Sequence, residues 1–411
     1  MYNISVRLYQ LAILIASLFN KKAKLWLEGR KDIFNRLQKA VGNEEKIIWM
    51  HCASLGEFEQ GRPVLEQLRL QYPQHRLLLT FFSPSGYEIR KNYTGVDWVF
   101  YLPLDTRINA EQFINIVKPS LSIFVKYEYW YHYLNQLHQK NIPVLLISAI
   151  FRANAPFFKW YGGVHRAMAN YFSQLFVQNQ ESYERISVIV PSEKITLAGD
   201  TRFDRVKTIA DSFERLPLIE QFITGKKILV AGSTWPEDEQ MLKKLLEKQD
   251  NLSLIIAPHE ITDTHLRFLR ETFSGAAFYS ELKKVNNGAS AARVLIVDNI
   301  GMLSKLYYYS MVSYIGGGFK KSGIHNTLEA AVYGKPVLFG PNYQKFAEAI
   351  GLIKSKGAFT YTTDTELTQL TQSLLNHEEQ LMQYSHNAGE FVAAHTGATN
   401  LILRWLRKTA F

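Results

Sequence analysis

The sequence predicts an α/β protein built from two Rossmann-like lobes. Three observations predict it. At 411 residues the chain is too long for one ordinary hydrophobic core. Short apolar runs alternate with amphipathic stretches along its length, the pattern of parallel sheets covered by helices. The runs also form two series, separated by a polar stretch over 206–226 that reads as helix and linker. The first series occupies 47–51, 77–82, 98–101, 121–125, 144–148 and 175–177. The second occupies 227–231, 254–257, 294–297, 312–315 and 337–339. Ligands of such sheets bind beyond the carboxyl ends of the strands, in the crevice where strand order reverses. A cleft between the lobes is therefore expected, with its chemistry at strand ends.

Composition narrows the class. Hydrophobic residues make up 47% and charged residues 20%, values of a folded globular chain. A single cysteine, Cys52, excludes a disulfide framework and any multi-cysteine metal site, and suits a reducing compartment. Net charge is +10. Residues 1–40 hold eight Lys and Arg against Glu28 and Asp32, so more than half of that excess lies in a tenth of the chain. These charges flank an apolar run from Leu8 to Phe19, shorter than the roughly 20 residues a spanning helix needs. No small-residue cleavage site follows it. An interfacial helix with its cations on anionic head groups is expected; a buried N-terminal helix is the alternative. No recognised nucleic-acid motif accompanies the basic balance. The expected division is an anchor helix over 1–20, a first lobe over 21–210 and a second over 211–411, the last helix crossing back to the first lobe.

The most informative strand end lies in the second lobe. An apolar strand closes in Gly316, Gly317 and Gly318, and a helix is expected to open near Asn326 with Glu329 in its first turn. Such a unit aims backbone N–H groups and a positive dipole end at one spot, where an anion can sit. Glu329 is placed to accept hydrogen bonds from a sugar hydroxyl. The reading is a nucleotide or nucleotide-sugar site, with a plain tight turn as the alternative. A Walker loop is excluded because Ile324 and His325 stand where Lys and Ser or Thr are required, and the dinucleotide glycine fingerprint is absent.

Other strand ends add candidates. In Ser54-Leu55-Gly56-Glu57, Gly56 is expected to allow a tight turn. Glu57 reads either as a general base or as a first-turn capping acid. Ser83-Pro84-Ser85-Gly86 is a small polar turn that accepts an anion or caps a helix. Glu128 sits among Tyr127, Tyr129, Trp130 and Tyr131, a composition for stacking on sugar, covering lipid or packing a core. Arg152 is a candidate partner for an acceptor phosphate. Phe157, Phe158, Trp160 and Tyr161 belong either to the core or to a lipid-facing surface. Ser233 and Thr234 suit a phosphate, and His259 reads as a nucleotide contact or a structural histidine. His259 and His265 are six apart, the wrong spacing for a zinc-binding H-E-x-x-H.

Taken in order, these turns resemble those of the 3-deoxy-D-manno-octulosonic acid (Kdo) transferases over nearly the whole chain. The resemblance rests on the N-terminal anchor, Ser54-Leu55-Gly56-Glu57, Glu128-Tyr129-Trp130 and Gly199-Asp200-Thr201-Arg202-Phe203-Asp204. It continues through Ala231-Gly232-Ser233-Thr234, His325-Asn326-Thr327-Leu328-Glu329-Ala330 and Gly340-Pro341-Asn342. It implies a GT-B fold with two lobes facing a central cleft, and an inverting transfer. The donor would be CMP-Kdo and the acceptor a lipid A precursor such as lipid IVA, with no metal or other cofactor. The implied location is the cytoplasmic face of the inner membrane. By position, Glu57 matches the catalytic base. Ser233, Thr234, His259, Gly316, Gly317, Gly318, His325, Asn326, Thr327 and Glu329 fall on the donor side. Ser54, Gly56, Ser85, Glu128, Arg152 and Arg202 fall on the acceptor or transition-state side. Two places depart from the family: Lys126 replaces a common second acid, and Pro258-His259-Glu260 replaces Pro-Arg-His. Lys320, Lys321 and Arg202 are the candidates to supply the missing positive charge. Rival readings are a GT-B enzyme using a UDP- or GDP-hexose and a membrane-bound scaffold that has lost catalysis. A nicotinamide oxidoreductase is disfavoured by the missing fingerprint.

Overall fold

A computed structural model describes residues 2–42, 44, 46–285 and 291–409. The chain forms two compact units, one of Met1–Arg205 with Thr396–Phe411, the other of Val206–His395. Each contains one seven-stranded sheet in which every strand pair is parallel. Parallel sheets carry helices on both faces, so their central strands are apolar on both sides. That is why Ile47–Cys52 and Val144–Ala149 are buried along their whole lengths.

In the first unit the strands are β1 (Ile47–Cys52), β2 (Arg76–Phe81), β3 (Trp98–Tyr101), β4 (Leu121–Val125), β5 (Val144–Ala149), β6 (Gln174–Val177) and β7 (Ile195–Leu197). Their order is β3-β2-β1-β4-β5-β6-β7. Strands two and three wind away from β1 on one side, and β4 joins it on the other. The reversal therefore lies between β1 and β4, where Met50 pairs with Ile123 and His51 with Phe124. In the second unit the strands are β8 (Lys227–Thr234), β9 (Leu252–Pro258), β10 (Ala277–Phe278), β11 (Val294–Ile296), β12 (Val312–Ile315), β13 (Val337–Phe339) and β14 (Ala358–Thr360). The order β10-β11-β9-β8-β12-β13-β14 puts its reversal between β8 and β12. In both units the loops leaving these central strands carry the residues singled out from the sequence.

Strands β7, β10 and β14 are absent from the sequence reading. They are short and only partly buried, so they lack the unbroken apolar run of the equally short β11 and β13. The polar stretch before the second series is helical in two pieces, Thr201–Asp211 and Pro217–Ile223. The helix after β12 is a correction. It covers only Leu328–Ala331, a single turn, closed by Gly334 at φ +63° just ahead of Pro336.

The first helix, Tyr2–Ala16, begins before the apolar run and has no buried residue. Asn20 caps the next one, Lys21–Glu28, by accepting from Lys22 N at 2.8 Å and Ala23 N at 3.3 Å. The two meet at a bend of 119°, and among the described residues no single helix is long and apolar enough to cross a membrane. At the other end, Ala398–Thr409 packs in the first unit, with Ile402, Leu403 and Leu406 in one buried cluster with Leu65, Leu68 and Phe176. Its start is held by Asp204, whose carboxylate accepts from Gly397 N at 2.5 Å and Thr399 N at 2.6 Å. Leu406→Ala should cost the protein about 2–5 kcal/mol, read from chemical denaturation of the whole chain. No loss would show that the terminal helix is not part of the first core.

Candidate functional site

The first unit gathers its candidates at the carboxyl ends of β1 and β4. Helix Leu55–Gln71 follows β1 directly, with Ser54 as its N-cap in extended backbone. Glu57 closes a capping box: its Oε2 accepts from Ser54 N at 2.8 Å and Ser54 Oγ at 3.2 Å. Both readings of Glu57 thus meet in one side chain. Oε2 is committed to the helix start, whereas Oε1 has no partner among the described residues and is not sealed from solvent. The carboxyl does not behave as an ordinary capping acid. Burial, with the neighbouring Glu128 charge, pushes it up to about 7, against the opposing pull of Ser54 and the Lys126 ammonium. A carboxyl near neutrality is suited to taking a proton from a hydroxyl. Gly56 is a correction: it lies inside the helical turn at ordinary φ, and an added Cβ would meet only Ser54 Oγ, at 4.0 Å. No tight turn requires it.

Glu128, itself buried, is held by a hydrogen-bonded chain running through the sheet. Trp49 Nε1 lies 2.8 Å and His51 Nδ1 2.9 Å from Thr80 Oγ1. Glu128 Oε2 accepts, so Nε2 carries the proton of the neutral His51 ring, and Nδ1 takes the threonine proton while the indole donates to the hydroxyl oxygen. Nε2–H of the same ring then donates to Glu128 Oε2 at 3.1 Å, and Trp130 Nε1 donates to that oxygen at 2.6 Å. Lys126, at φ +70°, holds its ammonium 5.4 Å from the Tyr127 ring. Arg152 is exposed and lies 5.6 Å from that same ring. The Ser85 turn is drawn in because Ser83 N donates to Ala53 O at 2.7 Å, and the Ser83 and Ser85 hydroxyls sit 2.9 Å apart.

Arg202 is engaged by a neighbouring acid. Its Nε and Nη2 donate to Asp200 at 2.9 and 2.8 Å, and Gln60 Nε2 approaches the same carboxylate at 3.1 Å. Burial works against ionisation of Asp200, but Arg202 and Gln60 outweigh it and hold the group below the usual carboxylate range. Thr201 donates to Gln60 O and meets Ser148 Oγ at 2.9 Å. The Gly199–Arg202 segment thereby staples β7 to helix Leu55–Gln71 and to the end of β5.

In the second unit the glycine turn is close-packed for a local reason. A Cβ at Gly316 would lie 2.2 Å from Ser233 O, and one at Gly318 2.5 Å from Gly340 N. Two of its amides are already used, Gly316 N on Gly232 O and Gly317 N on Asp238 Oδ2, both at 2.9 Å. The expected cradle of backbone N–H groups is therefore reduced, and a four-residue helix adds little dipole. Asn326 organises the approach to that helix, accepting from Leu328 N and donating to Glu329 Oε1, each at 3.1 Å. Thr327 and Thr234 are corrections. Thr327 is buried, with its hydroxyl unpartnered. Thr234, also fully buried, donates to Glu239 Oε1 at 2.8 Å in a network that continues to His265. Ser233, by contrast, is half-buried at φ +53°.

Sequence reasoning missed what stands beside this turn. The Trp235 and His259 rings are 4.7 Å apart and the His259 and His325 rings 4.3 Å, while Trp235 Nε1 donates to His325 Nε2 at 3.2 Å. Lys320 caps the stack, its ammonium 3.4 Å from the centre of the Trp235 ring. Burial, with His259 beside it, pushes His325 down to about 4. This is a flat aromatic wall with one cation, formed at the ends of β8, β9 and β12. The only sequence signal was Trp235 and His259, each just past a strand, with His325 in the loop beyond the glycine turn. Among the described residues no group of three or more His, Cys, Asp or Glu is placed to hold a metal ion.

Comparison with known proteins then places the chain. Residues 29–205 match the family described as 3-deoxy-D-manno-octulosonic-acid transferase (kdotransferase). A 3-deoxy-D-manno-octulosonic acid transferase of Haemophilus influenzae is 29% identical over 386 residues, covering 88% of this chain and 86% of that protein. One of Rickettsia bellii is 26% identical over 382 residues, covering 89% and 90%. This chain is a glycosyltransferase that resembles the Kdo transferases. Its architecture is GT-B, one Rossmann-like sheet to each unit. A UDP-GlcNAc 2-epimerase from Neisseria meningitidis shares that fold at TM-score 0.62 and 14% identity, over 89% of this chain and all of that one.

Two outcomes follow from this geometry. A base at Glu57 would make transfer rise with pH through an apparent pKa near 7, because the carboxyl accepts a proton only when ionised. Lys126→Ala removes a charge that favours ionisation, so it should move that inflection upward in a pH–rate profile; an unmoved inflection would separate Lys126 from the base. Thr234→Val strips a hydrogen bond from buried Glu239 and should cost about 1–3 kcal/mol in denaturant titrations. Nucleotide affinity measured by calorimetry should stay the same, and a large loss would return Thr234 to the donor side.

Proposed function

We propose that this chain transfers Kdo from CMP-Kdo to a lipid A precursor of the lipid IVA class, in the building of lipopolysaccharide. The observation that carries the reading is the half-committed carboxylate of Glu57. One oxygen caps a helix at the reversal point of the sheet, and the other is left to act as a base. The family match falls on this same unit.

The chemistry divides between the units. In the first, Glu57 Oε1 takes the proton of the acceptor's sugar hydroxyl as that oxygen bonds to the anomeric carbon of Kdo. The bond from that carbon to the CMP phosphate breaks in the same displacement, so configuration inverts. Glu128, fixed by His51 and Trp130, keeps the Glu57 carboxyl basic enough to accept the proton. Arg152 and Lys126 offer positive charge to acceptor phosphates. In the second unit, the aromatic wall of Trp235, His259 and His325 suits the flat cytosine ring. Lys320 supplies the positive charge that the family's Pro-Arg-His arginine would otherwise bring.

The acceptor is a lipid, and the first helix suits a membrane surface. Ile4, Leu8, Leu11, Ile15 and Leu18 recur at helical spacing and are all exposed, with Arg7, Lys21, Lys22 and Lys24 alongside. The helix is proposed to lie on the cytoplasmic face of the inner membrane, its cations on anionic head groups.

The test is incubation with CMP-Kdo and a tetra-acylated lipid A precursor, the products weighed by mass spectrometry. A mass gain of one or more Kdo residues is expected. Glu57→Gln should lower the rate by a factor of about 10²–10⁴, the usual contribution of a positioned base, with CMP affinity intact. Transfer retained by the variant removes Glu57 from the mechanism. Selective binding of UDP or GDP over CMP would overturn the donor.

A further inference from the structure

We propose that an open groove in the first unit holds one fatty acyl chain of the acceptor. This rests on the acceptor being an acylated lipid, as argued above. The groove has a volume of about 450 Å³, within the usual range for a small-molecule site. One wall is the first helix, through Val6 and Tyr9. The other is His165, which packs against Phe157 at a ring distance of 5.5 Å. Its floor is Tyr129 and Trp130, from the loop that follows β4.

Three observations choose an acyl chain over other occupants. The lining is mostly apolar and aromatic, with no ionised side chain facing it, so a phosphate would be poorly matched. The groove is continuous with surfaces suited to lipid. Its helical wall carries the exposed apolar stripe on its outer side. The segment leading to the opposite wall leaves Trp160 92% and Tyr161 57% exposed, in keeping with aromatic anchors at a membrane interface. The floor also reaches the chemistry directly, because Trp130 donates its indole proton to Glu128, the neighbour of Glu57. A chain lying there ties the depth of the lipid to the position of the reacting hydroxyl. The groove thus sets specificity for an acylated acceptor over the bare sugar, and Val6 is the residue whose size tunes it.

The experiment uses the full chain in detergent and has two arms. Val6→Trp places a large ring in the groove from an exterior helix, so the core is untouched. First, a brominated fatty acid is titrated as a fluorescence quencher. The Trp130 component is defined as the signal lost between wild type and Trp130→Phe. Saturable quenching of that component is expected in wild type, together with its loss in Val6→Trp. Second, kcat/KM is measured for tetra-acylated acceptor and for its deacylated sugar. Their ratio should fall at least tenfold in Val6→Trp, equivalent to roughly two methylenes no longer buried. No quenching in wild type, or equal quenching in the variant, overturns the proposal. So does an unchanged ratio despite lost quenching, which would give the groove to a bilayer lipid. Failure of the underlying reading is distinct: quenching persists, but no acceptor gains Kdo from CMP-Kdo.

Discussion

The bond from the Ser54 amide to Glu57 Oε2 is the constraint on which the chemistry of the first unit depends. A helix must satisfy its first N–H groups, and here the acid that does so is also the one at the sheet's reversal point. Capping fixes the rotamer and leaves a single oxygen directed elsewhere. Ordinarily such a position lowers a carboxyl's proton affinity. Burial and the charge of Glu128 win that contest, and the result is a group poised near neutrality. Orientation and basicity come from different sources, so each can be altered without the other.

Glu128 in turn depends on residues that touch no candidate ligand. Trp49, Thr80 and His51 come from two adjacent strands, and their order of donation leaves one proton aimed at Glu128. The chain uses the sheet's own register: His51 pairs with Thr80 in the ladder between β1 and β2. A fully satisfied buried network of this kind keeps one geometry, because any other would strand a polar atom in the core.

Much of the fold was legible because parallel strands announce themselves as apolar runs, and eleven of the fourteen strands were read in that way. The missing three are short and only partly buried, so no continuous apolar run marks them. Loops at strand ends pointed to Ser54, Glu57, Glu128 and the glycine turn, since topology alone draws them to an edge. Partnerships were not legible. Nothing in the spacing tells that Asp238, 79 positions earlier, takes the amide of Gly317, or that Thr234 turns inward to Glu239. Arg202 lies two residues from the acid that occupies it, and that proximity was a readable warning. The Lys320–Trp235 contact joins residues far apart in sequence, so only the fold reveals it.

The helix Ala398–Thr409 completes the core of a unit whose other residues are nearly all in the first half of the chain. During synthesis residues 1–205 emerge before the second unit, yet the surface formed by Leu65, Leu68 and Phe176 must wait for the helix that follows it. The nascent amino-terminal half therefore leaves the ribosome with an uncovered apolar seam. Maturation of the first unit is coupled to synthesis of the whole second unit, and a chain stopped within that second unit would be an aggregation-prone substrate for chaperones and proteases.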